Sequence, residues 1–235
     1  MRSALFSSAL ALCFCLFENG CSKGITRSTA ATVFFVRGNV VYGTANRNDF
    51  QPVTPKSKIH AGDTVRTSED ASVNLALIPG AFVQVSANSE IEIKELTVTK
   101  DGNETAGGVL DRHASIHLTR GRLVGLFSHS DTSASEFYIT TKQVTLRPDS
   151  DCLFSIWRNN AATRVACGRG EVTAVADAKS SVEIAAGYFS QWPTTSKEPS
   201  AAITDGVAQM DIRTALDVET ELMDQAAGWQ NRRAF

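Results

Sequence analysis

This 235-residue sequence has few long apolar runs, no excess of either charge, and no familiar catalytic signature. No apolar run reaches the roughly 20 residues a helix needs to cross a bilayer, which argues against a helical multispan protein. Lys and Arg total 23 against 25 Asp and Glu, a net charge of -2. A domain that grips a phosphate backbone is normally clearly basic, so nucleic acid is not an expected partner. The G-x-S-x-G elbow, H-E-x-x-H, the Walker A loop and the dinucleotide G-x-G-x-x-G are all missing. No catalytic residue, metal or cofactor is therefore expected. What is present is 43% hydrophobic residues and 20% charged ones, enough to build a buried core.

Two spacings invite a chemical reading and do not sustain it. His113 and His117 are four apart, but they lie in a β-rich stretch, with no Glu beside the first and no obvious third ligand. Asp149 and Asp151 flank Ser150 just after Pro148 and read as solvated turn residues. Aromatic side chains at Tyr42, Phe50, Trp157, Tyr188 and Trp192 are possible ligand-facing groups for a carbohydrate. In a β-domain the same residues equally serve as core or edge cover.

The N-terminus reads as an export address. Arg2 supplies a positive charge and Ser3 to Phe17 is a short apolar stretch, so residues 1–20 are expected to be a signal peptide. Gly20-Cys21 follows and resembles the lipobox at which lipoproteins are cut and lipidated, with Glu18 standing where an aliphatic residue is usual. Lipid on Cys21, ordinary secretory cleavage and an uncleaved anchor are the three readings. Lipidation would make a lipid anchor the only membrane contact and place the protein in the periplasm or at the outer membrane. Residues 21–31 would form a tether.

Residues 32–192 read as one β-domain. Val73, Leu75 and Leu77 alternate with smaller or polar residues before the Pro79-Gly80 turn, and similar short alternating runs recur to Val182 and Ile184. A dozen short strands with turn signals between them predict an all-β fold, a multi-stranded sandwich or a solenoid-like body. Asn159-Asn160 is suited to a two-residue hairpin turn, which would set Cys152 opposite Cys167 at disulfide distance. Two buried free thiols are the alternative, and a four-residue turn would break that register.

A family resemblance rests on ordered segments. Val36-Arg-Gly38-Asn-Val40 matches V-x-G-x-V, and Gly62-Asp63-Thr-Val65-Arg-Thr67 matches G-D-x-I-x-T. Further on, Leu118-Thr-Arg-Gly121-Arg-Leu123 follows L-x-x-G-x-L, while Phe137-Tyr-Ile-Thr-Thr141 is like F-x-V-x-T-P. Val165-Ala-Cys-Gly-Arg-Gly170-Glu-Val172 is like V-x-V-x-x-G-x-V. Over about residues 33 to 192 the chain thus resembles the FecR domain. Asp151-Cys152 replaces the family's Gly-Thr, and Cys167 replaces a core Val, which favours a disulfide between the two cysteines. FecR regulators carry a sigma-factor-binding region and a transmembrane helix ahead of this domain. Here only the leader precedes it, so the resemblance implies a stand-alone exported module rather than anti-sigma activity.

The remainder has a different texture. Residues 193–205 contain two prolines and read as a linker. Residues 206–228 predict a helix, capped by Thr204 or Asp205 and ended by Gly228. Its apolar stripe needs a surface, either the β-domain or a partner. The expected role is non-enzymatic: binding, scaffolding or signalling in the cell envelope through another protein. Envelope polysaccharide binding is the alternative.

Overall fold

The computed structural model describes residues 24–100, 109–128, 134–177, 180–193 and 198–233. In chain order come strands β1 (Ile25–Ser28), β2 (Ala30–Arg37), β3 (Val40–Gly43), β4 (Gln51–Pro52) and β5 (Lys58–His60). They are followed by β6 (Thr64–Thr67), β7 (Ser72–Ile78), β8 (Ala81–Val85), β9 (Glu90–Lys100) and the long β10 (Val109–Phe127). Next are β11 (Ala134–Thr140), β12 (Thr145–Arg147), β13 (Cys152–Arg158), β14 (Thr163–Arg169) and β15 (Glu171–Asp177). Strands β16 (Ser180–Ala185), β17 (Tyr188–Trp192) and β18 (Ser200–Ala201) precede a C-terminal helix, α1 (Gly206–Arg233). The expected all-β class with one C-terminal helix is the class the chain adopts.

The ladders define two sheets joined through β10. One runs β4, β3, β6, β9, β10, β11, β12, β15, β16, with β1 along the far half of β9. The other runs β5, β2, β7, β8, β10, β13, β14, β17, β18. Pairing is antiparallel except between β10 and β11. Apolar side chains from both sheets, among them Leu75, Val83, Ile93, Ile116, Ile139 and Phe154, fill a shared core. Hydrophobic alternation produces this directly, because successive residues of a strand face opposite sides.

Strand β10 changes sheets at Gly121. Up to Arg120 it pairs with β9, and from Gly121 it pairs with β13. Gly121 has φ +92, and a Cβ there would lie 2.4 Å from the Ser89 Cα, so a bare backbone is required. Ser89 is fully buried, and its hydroxyl accepts from the Arg122 amide at 2.8 Å. Beyond the bend both faces of β10 are covered. Leu123 and Phe127 enter the main core, while Val124 and Leu126 face α1. Gly125 makes room for a neighbour, since a Cβ would meet the Phe154 ring at 2.4 Å.

Helix α1 packs on the outer face of the second sheet. Asp205 caps it, its Oδ1 accepting from the amides of Val207 and Ala208 at 2.9 Å each. Ala208, Asp211, Ala215, Val218 and Leu222 are its buried positions, alternately three and four apart, which is one helical face. Ala215, Val218 and Leu222 pack with Val124, Leu126 and Leu153, with Phe34 and Phe82 alongside. Full burial of a side chain such as Leu222 contributes about 1.5–3 kcal/mol. Three details differ from the sequence reading. The expected tether already supplies β1, and Ala31 is fully buried. The expected linker supplies β18 and a 3-10 turn at Ala202–Thr204. The helix passes through Gly228, since an internal glycine costs a helix only about 1 kcal/mol.

Candidate functional site

At one end of the second sheet, the β8–β9 turn, the β10 bend and the β13–β14 turn surround a pocket of about 480 Å³. Arg120, Arg122, Trp157 and Arg158 line it, with Asn88 and Asn160 at its turns. Strand pairing explains the convergence. Arg122 lies opposite Trp157, Gly121 opposite Arg158, and Trp157 in turn opposite Arg164. The Arg164 guanidinium sits over the Trp157 ring, 5.3 Å from its centre.

A buried ion cluster stands beside this pocket. Asp211 of α1, with 2% of its side chain exposed, receives Arg122 Nη2 at 2.5 Å and Arg164 Nε at 2.9 Å. Glu90 pairs with Arg66 at 3.2 Å and with Arg120 at 3.5 Å. Arg158 donates through Nη1 to the carbonyls of Leu118 (3.1 Å) and Thr119. Two further contacts tie the helix down: Asn74 donates to Gln225 at 2.9 Å, and Arg169 pairs with Glu219 at 2.5 Å. The sequence reading missed the Asp211 cluster. Its signal was an acidic residue inside the apolar stripe of a helix, a position that needs paired charges if it is buried.

The expected ligand-facing aromatics do not come together as a platform. Trp157 lines the pocket and Tyr188 is 43% exposed. Trp192 is buried at 5% exposure and Tyr42 packs against the main core, which corrects their expected outward role. Both sit on inward-facing positions of strands that carry core residues. Phe50 lies under the Arg66 guanidinium at 4.1 Å. His113 stands between Glu95 (3.4 Å) and Glu136 (3.2 Å), and His117 bonds to the Thr140 hydroxyl at 3.0 Å. Burial is the main cause that lowers the pKa of His117, followed by Lys94 and Arg158. Asp149 is held by Arg147 at 2.8 Å and accepts from the Thr173 hydroxyl. Among the described residues no group of three or more His, Cys, Asp or Glu is placed to hold a metal ion. Residues 1–20 and Cys21 lie outside the described residues.

The expected disulfide is also corrected: Cys152 and Cys167 are free, buried thiols. The turn between β13 and β14 spans four residues, because Asn159 Oδ1 accepts from the amides of Ala161 (2.9 Å) and Ala162 (2.8 Å). Phe154 therefore faces Cys167, and a bulge next to it sets Leu153 opposite Arg169. The Cys167 thiol donates to the Arg169 carbonyl at 3.3 Å. Burial raises both thiols: Cys152 far above its ordinary value, with the neighbouring Cys167 adding to the rise, and Cys167 to about 11.

A folded-state pKa above the unfolded one means that each fold-dependent proton is held more tightly. The associated stability is complete below the unfolded value near 8.5 and is lost as pH rises through about 11 for Cys167. At pH 8 both cysteines should resist maleimide in the native protein and react after urea unfolding, as mapped by peptide mass spectrometry. The fall in stability between pH 9 and 11 should be shallower in Cys167→Ala. A disulfide-linked peptide joining the two residues would contradict this.

Residues 63–173, from just before β6 into β15, match the family model described as FecR protein. A comparison with curated proteins finds no match. Two crystal structures of a candidate anti-sigma factor from Parabacteroides distasonis ATCC 8503 are similar over 55% of this chain, at 12% and 11% identity and TM-scores of 0.40 and 0.39. The chain spans 53% of their length.

Proposed function

We propose that this chain is an exported cell-envelope module that signals or scaffolds by contacting another protein. Residues 1–20 would be removed and Cys21 lipidated, leaving the β-body at a membrane surface in the periplasm or at the outer membrane. The observation that carries the reading is the FecR match over residues 63–173. The architecture is compatible with it, because the interior is apolar and the sheets end in open strands. Among the described ladders β16 pairs only with β15, so its other edge is open to a partner strand. The buried stripe of α1 is already occupied by the second sheet, which favours an edge over that stripe as the contact. A polysaccharide reading built on a broad aromatic platform is weakened by the burial of Trp192 and the core packing of Tyr42.

Crosslinking of the full chain in its native cells, followed by mass spectrometry, tests this reading. Recurrent links from the β15–β16 region to one or a few envelope proteins are expected. Abundant exposed chain with no protein link above background would contradict it.

A further inference from the structure

We infer that the pocket formed by Arg120, Arg122, Trp157 and Arg158 is a binding site for an acidic saccharide, a sugar bearing carboxylate groups. The argument begins with charge. Two separate ion groups flank the pocket, Glu90 with Arg66 and Arg120, and Asp211 with Arg122 and Arg164, and Arg158 lines it too, so five guanidinium groups stand against two carboxylates. Positive charge is thus concentrated at one end of a chain whose net charge is -2, which creates a local attractive field for anions. Arg158 has carbonyl partners rather than a carboxylate. Among the described residues the Nε–H groups of Arg122 and Arg158 are buried without an acceptor, an electrostatic cost that a nearby anion offsets.

Shape and chemistry narrow the ligand. A pocket of about 480 Å³ falls within the size range of small-ligand sites. Guanidinium forks bind carboxylates in two-pronged fashion, and the side-chain amides of Asn88 and Asn160 supply both donors and acceptors for hydroxyl groups. Trp157 adds an apolar ring surface beside the charges. A ring that is apolar on its face, hydroxylated at its rim and charged at one carbon meets all three requirements. The site is independent of the proposed protein contact, since it lies at the β10 bend and not along β16.

Calorimetric titration of the full chain with trigalacturonate, galactotriose and inorganic phosphate tests the assignment. Trigalacturonate should bind, weaken as salt is raised, and outcompete both of the others by at least about tenfold. Arg120→Gln, at a half-exposed side chain outside the Asp211 cluster, should weaken trigalacturonate about tenfold, and Asn160→Asp should do so by like-charge repulsion. Matching thermal unfolding curves would show that both variants fold. Absence of trigalacturonate binding overturns the proposal. Equal binding of galactotriose, or of phosphate alone, does so too, as does unchanged affinity in both folded variants.

Discussion

Gly121→Val should lower the unfolding free energy by about 3 kcal/mol or more, the sum of a strained backbone and an overpacked contact. At φ +92 a β-branched residue is a steric outlier, and its Cβ would meet the buried Ser89 backbone at 2.4 Å. The position cannot relax cheaply. Ser89 is fixed by the Thr67 hydroxyl, which accepts from its amide at 2.9 Å, and by its own contact to the Arg122 amide. For a domain of this size the loss corresponds to a drop in Tm of about 6–12 °C. Gly62 supplies the control: its φ is +91, yet among the described residues nothing lies within 4 Å of its Cβ position. Gly62→Val should therefore show the strain without the clash. Equal Tm values for the two variants would contradict the assignment of Gly121 as the crossing point between sheets.

That crossing also marks the limit of what the sequence discloses. Alternation at Val73, Leu75 and Leu77 identifies a strand because the face turned to the main core is apolar, while the opposite face, with Asn74, is buried under α1. The segment Leu118 to Leu123, matched above only to L-x-x-G-x-L, lies inside the 19-residue β10 and carries its bend. A glycine that bends one strand and a glycine that separates two look alike in sequence. The four-residue turn after Arg158 was hidden for another reason: the side chain of Asn159, rather than a backbone twist, organises it. The cap at Asp205 was legible because it depends on neighbours in the chain. The arginine pocket was not, because Asn88, Arg120 and Arg158 meet only through pairing between strands distant in sequence.

Asp211→Ala should be the most damaging change on the helix. It leaves Arg122 and Arg164 adjacent to one another without their shared carboxylate, and Arg164 retains only 10% of its side-chain exposure. Breaking a buried pair in this way costs about 3–5 kcal/mol, more than the pair contributes over an apolar replacement, because uncompensated charge remains inside. The triple variant Arg122→Met, Asp211→Leu, Arg164→Met should regain most of that loss. Urea unfolding of the three proteins reads both effects, and a triple variant no more stable than Asp211→Ala would sink the explanation.

The central claim is that α1 is part of the β-body rather than a free arm, and hydrogen exchange across the native chain tests it most directly. In the wild type, amides of the helix from Asp211 to Leu222 should exchange nearly as slowly as those of β13 and β14. Asp211→Ala should release the helix while the strands stay protected. Fast exchange throughout that helix in the wild type, with the strands still protected, would contradict the account.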